Sequence, residues 1–332
     1  MRNQNVVPRR VFVIGATGTI GRATVRALVE AGYEVVCFVR PDFTGEYPNV
    51  SPPEFAGATV RFGQVTDPAS IQRDGFCGEQ FDTLVSCLAS RTGAPRDAWA
   101  IDYQAHVSVL EAAKTAGVTH MVLLSAICVQ KPRLVFQHAK LAFEKVLVES
   151  GVDYSIVRAT AFFKSLSGQV DRVKKGKSFL VFGNGSGTAC KPISNDDLAR
   201  FIAECLTENS RRNRILPIGG PGDAITPLEQ AEYLFGLLKL KPRIASVPVA
   251  LLDAIVVILS VLGRIIPVLA DKAELARIGR YYATESMLVL DHVTGSYDAA
   301  ATPSTGSDTL HDFYAQLIEG KTRLQRGDHA VF

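Results

Sequence analysis

Val11-Phe12-Val13-Ile14-Gly15-Ala16-Thr17-Gly18-Thr19-Ile20-Gly21 is the stretch on which the fold turns. Its first four residues are apolar and largely β-branched, as in a short strand buried on both faces. Three glycines follow, each three residues after the last, and the pattern from Gly18 to Ala31 is helical. Strand, glycine turn and helix in direct succession predict a cradle for a dinucleotide. Gly15 permits the tight turn, Gly18 lets the backbone approach a pyrophosphate, and Gly21 allows the helix to pack closely. The helix start offers unbonded N–H groups and the positive end of its dipole. Thr17, Thr19 and Ile20 belong to the same expected phosphate contact.

Outward from this stretch, residues 10–160 alternate strand and helix. Short apolar runs occur at Val11–Ile14, Val35–Val39, Val60–Phe62, Leu84–Cys87, Met121–Leu124 and Ser155–Val157. Helical stretches lie between them at Gly18–Ala31, Trp99–Ala116 and Val135–Ser150, with glycines 32, 117 and 151 as C-caps. Repeated βαβ units predict an α/β fold, a doubly wound parallel sheet of the Rossmann type. A site for NAD would place an acid at the end of the second strand. Here the strand ends Cys37-Phe38-Val39-Arg40, and the Arg40 guanidinium suits a 2′-phosphate, which predicts NADPH. Asp42 keeps NAD open as the lesser alternative. Asp67 meets the adenine end or caps the next helix.

The second part, 161–332, is expected to form a smaller substrate-binding lobe interleaved with the NADPH-binding domain, 1–160. Asn195 is the expected N-cap of a helix to Leu206, Ile215–Ile218 a strand, and Thr226-Pro227-Leu228-Glu229 a capping box. Val247–Ala270 is very apolar but interrupted by Asp253, Arg264 and two prolines. It reads as a core or substrate-covering helix, with interfacial membrane contact as the second reading and a true span as the third.

Composition excludes other classes. The 332 residues carry 36 basic and 33 acidic side chains, a net charge of +3, which gives no case for nucleic acid. The six cysteines form no C-x-x-C pair and sit mostly in apolar runs, so they read as small buried hydrophobes without metal. The first eight residues lack the apolar core of a secretion signal.

The spacing G-x-x-G-x-x-G resembles that of short-chain dehydrogenases/reductases. Carbonyl reductases of that superfamily carry Tyr-x-x-x-Lys, which sets a phenol and an ammonium on one helix face. None of the nine tyrosines has a lysine four residues on. At the expected place stands Phe136-Gln137-His138-Ala139-Lys140: the lysine remains and the phenol is gone. Lys140 is the candidate to hold the nicotinamide ribose, and Ser125, ending the fifth strand, to face the nicotinamide. These two are the expected catalytic residues. His138 lies two residues from Lys140 and points off that face. Without a phenol the site suits hydride delivery to a conjugated carbon–carbon double bond, or cofactor binding without catalysis.

From Arg158 onward the likeness is more specific. Ala161-Phe162-Phe163-Lys164-Ser165-Leu166, Ala189-Cys190-Lys191-Pro192-Ile193-Ser194, Leu216-Pro217-Ile218-Gly219-Gly220-Pro221-Gly222, Thr226-Pro227-Leu228-Glu229-Gln230 and Ile278-Gly279-Arg280-Tyr281-Tyr282-Ala283 resemble the NADPH-dependent divinyl chlorophyllide a 8-vinyl-reductases. The resemblance runs from about residue 10 to about 315. It implies reduction of the 8-vinyl group of a magnesium tetrapyrrole to ethyl, in chlorophyll or bacteriochlorophyll synthesis. The magnesium comes with the substrate, so no protein metal site is implied. Phe162, Phe163 and Lys191 are the expected substrate-pocket residues, with Val247–Ala270 a further candidate. Two other readings fit the residues: an atypical reductase of another conjugated alkene, such as an isoflavone-reductase-like enzyme, and a non-enzymatic NADP-sensing or assembly protein. Plant members carry a transit peptide, so the start of this chain suggests a cytoplasmic protein of a phototrophic bacterium, with possible peripheral membrane contact. Oligomeric state is left open.

Overall fold

The computed structural model describes residues 10–41 and 55–322. Its strands include β1 (Arg10–Ile14), β2 (Glu34–Val39), β3 (Thr59–Phe62), β4 (Thr83–Ser86), β5 (His120–Ala126), β6 (Asp153–Ala159), β7 (Phe179–Phe182) and β8 (Arg214–Ile218). Seven of them form one parallel sheet in the order β3-β2-β1-β4-β5-β6-β8. Successive side chains of β1 serve opposite faces, as strand geometry requires. Phe12 and Ile14 join Phe76, Phe81, Leu110 and Phe143 on one face. Val11 and Val13 join Leu28, Ile202 and Leu206 on the other. Phe12 stacks on Phe76 with ring centroids 4.1 Å apart. Burial on both faces explains why the strand reads as an unbroken apolar run.

The helices that position the site are α1 (Thr19–Glu30), α2 (His106–Thr115) and α3 (Val135–Glu149). A wider-wound turn, Trp99–Ala105, leads into α2. The chain order reverses between β1 and β4, and the crevice above their carboxyl ends is where such folds bind ligands.

The second half does not stand apart. β8 extends the main sheet beyond β6, and α4 (Asn195–Glu204) packs its buried Leu198, Phe201 and Ile202 into the same cluster as Val25 and Leu28 of α1. The N-cap of α4 is Ser194 rather than the expected Asn195. Ser194 has the extended backbone of a cap, and its Oγ accepts from the Asp197 N–H at 3.0 Å. The expected capping box opens α5 (Pro227–Leu237): the Glu229 carboxylate accepts from the Thr226 N–H at 2.7 Å.

The apolar stretch differs most from its first reading. Its first residue closes β9 (Ile244–Val247), and most of the rest forms α6 (Val249–Leu262), which packs antiparallel along α7 (Pro267–Thr284) through a short turn. No residue of α6 is buried, so it is not a core helix. Val257 is 60% exposed and Ile265, in the turn, 82%. The remaining cause for its position is that one side of α6 rests on α7, where Arg280 pairs with Asp253 and Arg277 reaches the Ser260 hydroxyl at 2.6 Å. No helix of the described residues is long and apolar enough to cross a membrane.

Candidate cofactor and active site

The glycine loop is dictated by contact. Gly15 has φ +73°, and a Cβ there would lie 2.3 Å from the Leu88 backbone nitrogen after β4. A Cβ on Gly21 would lie 2.1 Å from the Gly15 carbonyl oxygen, so this glycine lets α1 close on the loop itself. Gly18 is different: its Cβ would meet nothing nearer than Gly15 O at 3.5 Å. That side of the loop is open, as a pyrophosphate would need. Thr17 is exposed, Ile20 buried, and Thr19 accepts from the Lys164 ammonium at 3.2 Å. Lys164, a cation beside the helix start, went unnoticed as a site residue because it lies 145 positions from Thr19.

Arg40 stands exposed just past β2, at the carboxyl edge of the sheet. Asp42 lies outside the described residues. Asp67 takes the capping role: its Oδ1 accepts from the Ala69 N–H at 3.0 Å.

Deeper in the crevice, two charged groups sit one turn apart on α3. Lys140 Nζ lies 2.9 Å from Asp102 Oδ1, with the Asp102 side chain fully buried. Glu144, also buried, pairs with Arg158 at 2.5 Å and accepts from the Ser125 hydroxyl at 2.6 Å. The sheet explains the second group. Ser125 of β5 and Arg158 of β6 are direct register partners, so both face the same side, and Glu144 descends on them from α3. The proton of Ser125 is thereby committed to a carboxylate, which leaves its lone pairs to accept a hydrogen bond rather than its proton to be given.

His106 borders this region and is neutral. Burial, and after it the Lys140 ammonium, pushes its pKa down to about 4. Its Nδ1 faces the Ile101 carbonyl at 2.8 Å, so that nitrogen carries the proton and Nε2 accepts from the Ser86 hydroxyl at 2.7 Å. Phe136, one turn before Lys140, packs with Ile127, Leu134, Ile278 and Tyr281. His138 is exposed.

The expected pocket residues are not brought together. Phe163 is core: it packs among Val170, Val181, Leu234 and Tyr314, with its ring 5.4 Å from Phe313. Its place at the start of a short helix turns it into the second half's own cluster and away from a cleft. Phe162 is half-buried against the main core and bridges to Ile193. Lys191 donates to the Thr302 carbonyl at 3.0 Å and to Ser304 Oγ at 3.3 Å, which ties the 302–304 segment to the sheet edge. Asp102, Glu144, Arg158 and Lys164 are the charged groups that sequence reading missed. Arg158 carried a signal, a lone cation inside an apolar strand.

An open glycine loop at a switch point, with a half-buried lysine on α3 paired to a buried aspartate, defines a nucleotide-dependent reductase of the Rossmann type. The family model described as NAD(P)H-binding matches residues 15–209. The chain is 49% identical to a chloroplastic divinyl chlorophyllide a 8-vinyl-reductase of Oryza sativa subsp. indica, over 97% of this chain and 82% of that protein. It is 46% identical to the protein of the same name from Cucumis sativus, over 100% of this chain and 81% of that one. The chain belongs to the divinyl chlorophyllide a 8-vinyl-reductase family. Among solved structures, the leucoanthocyanidin reductase of Vitis vinifera in binary complex with NADPH shares the fold, with a TM-score of 0.65 at 15% identity over 93% of this chain and 99% of that one. The expectation of a cytoplasmic protein from a phototrophic bacterium is corrected by these relatives, which are chloroplastic plant proteins. Where the chain starts is no guide to its compartment.

Proposed function

We propose that this protein reduces the 8-vinyl group of divinyl chlorophyllide a to ethyl with NADPH. The observation that carries the reading is Phe136 in the place of a phenol, one turn from a charge-paired Lys140, in a chain of this family. Bound NADPH supplies a hydride. The vinyl group is conjugated with the macrocycle, so negative charge arriving on the substrate spreads over a large π-system. The protein then needs no phenol to neutralise an alkoxide; it has to hold and orient.

In this reading Gly15, Thr17, Gly18, Thr19, Ile20 and Gly21 hold the pyrophosphate, Lys164 adds positive charge beside it, and Arg40 takes the 2′-phosphate. Asp67 stiffens the adenine side through its cap. Lys140 orients the nicotinamide ribose, and Ser125 accepts from a donor at the nicotinamide end. Residues 161–332 form the substrate side, with Phe162 half-buried against the main core. The exposed faces of α6 and α7 give peripheral contact with a membrane surface.

The test is turnover with NADPH and several divinyl tetrapyrroles. Transfer of deuterium from the nicotinamide carbon should place one label on the new ethyl group, with the second hydrogen from solvent. Two solvent hydrogens would reduce the reading to cofactor binding alone. Lys140→Ala should lower turnover while the chain stays folded.

A further inference from the structure

Asp102 is buried in the wider-wound turn that leads into α2, and its carboxylate is only half used. Oδ1 takes the Lys140 ammonium at 2.9 Å and the Ser90 N–H at 3.2 Å. Oδ2 is buried with no hydrogen-bond partner among the described residues. A buried carboxylate oxygen without a donor is costly, and in native proteins such an atom is matched by a bound group.

The surroundings say what that group is. A cavity of about 10 Å³ is lined by Asp102, His106, Ser125, Lys140 and Phe143. Space of that order admits one water and nothing larger. The donors and acceptors around it are fixed by their other bonds. Ser125 Oγ gives its proton to Glu144 and can accept. Lys140 has donors left after Asp102. His106 has both ring nitrogens engaged, by Ser86 and Ile101.

We propose that Asp102 is the positioning residue for Lys140, and that its second oxygen shares one water with Ser125 and Lys140. The water donates to Asp102 Oδ2 and to Ser125 Oγ and accepts from Lys140 Nζ, which satisfies the Asp102 oxygen and leaves Lys140 one donor for the cofactor. Asp102 also joins Lys140 to the loop after β4 through the Ser90 N–H, so the ammonium is held relative to the sheet edge that faces the cofactor. The proposal rests on the reading of Lys140 as a cofactor-holding residue.

The test is a double-mutant cycle on NADPH affinity, read by fluorescence titration of the full chain. Asp102→Asn keeps the shape and the bond from Ser90 but removes the charge. It should raise the NADPH Kd by about 10-fold, the scale of one charge-assisted bond. Lys140→Met should raise it as well, and adding Asp102→Asn to that variant should cost nothing further, because a residue that acts through Lys140 has nothing left to act on. The KM for the tetrapyrrole should stay within about 2-fold, below the effect of one lost hydrogen bond. An unchanged Kd in Asp102→Asn, or losses that multiply in the double variant, overturns the positioning role. A Lys140→Met variant that binds NADPH as the parent does breaks the reading of Lys140 instead. A crystal structure resolving ordered waters should show one between Asp102 and Ser125; a dry cavity overturns the shared water.

Discussion

The carboxyl edge of the sheet and the α6–α7 hairpin treat burial in opposite ways. At the sheet edge, charged groups are buried and each is met by a partner: Lys140 by Asp102, Glu144 by Arg158 and Ser125. In the hairpin, apolar side chains are left outside: Val257 and Ile265 stand exposed, and so does Val268 at 67%. Buried charge is costly unless paired, and exposed contiguous apolar surface marks a contact with something else. Both departures from an ordinary interior and an ordinary surface therefore point to function, and each can be attacked separately.

The largest expected effect falls on the sheet edge. Gly18→Val should abolish NADPH binding with the fold intact, since the added side chain meets open space where phosphate would lie. Retained binding in a fluorescence titration would remove the phosphate loop from this site. Gly21→Val is the sharper control: it drives a side chain into the Gly15 carbonyl and should lower the unfolding midpoint as well.

Next in size is the buried ion pair. Glu144→Gln leaves Arg158 without its counter-charge and should cost about 3 kcal/mol of stability, the low end for breaking such a pair, because the Arg158 side chain keeps 17% of its exposure. Urea denaturation reads this directly. A loss below about 1 kcal/mol would class the pair with surface salt bridges.

These two substitutions also separate what was legible in the sequence from what was not. The glycine loop is local: strand, turn and helix lie within twenty residues and each glycine answers to a backbone constraint. Its strand and helix form where the sequence places them, and Gly21 lets α1 close on the Gly15 carbonyl. The charge pairs are tertiary. Lys140 and Glu144 sit on one helix, but Asp102 and Arg158 reach them only after the sheet has assembled. Lys140 was found through superfamily register, not through its partner. Phe163 departs from its pocket expectation for a related reason, since it and Phe162, adjacent on a turning backbone, face different clusters.

Smaller still is the choice of cofactor. Arg40→Asp should weaken NADPH binding by about 1–3 kcal/mol and leave NADH less affected. Equal affinity of the parent protein for both cofactors would count against the role of Arg40.

The pH dependence follows from two buried histidines, His106 at the start of α2 and His120 at the start of β5. His106 and His120 are each pushed down to about 4, chiefly by burial. Their unfolded forms take up a proton near pH 6.5, so between about pH 4 and 6.5 the unfolded chain binds more protons than the folded one. Stability should therefore be complete above that window and fall as pH drops through it. The urea midpoint at pH 5 should be lower than at pH 7, and His120→Asn should flatten part of that slope. A midpoint independent of pH over this range would mean that the two rings are protonated in place.

The smallest expected effect on stability is in the hairpin, and that is its use. Val257→Ser with Ile258→Ser replaces two exposed side chains on α6, where neither fills a core. Surface changes of this kind stay within about 0.5 kcal/mol. Apolar area lost from a membrane contact, by contrast, should cost roughly 25 cal/mol per Å². The variant should thus unfold like its parent, turn over a water-dispersed substrate at the parental rate, and sediment less with liposomes. Parallel losses of stability and liposome binding would mean that α6 is covered in the native protein by more of its own chain. Unchanged sedimentation with unchanged stability would leave the membrane contact without its surface, and the comparison between the two regions would then rest on the sheet edge alone.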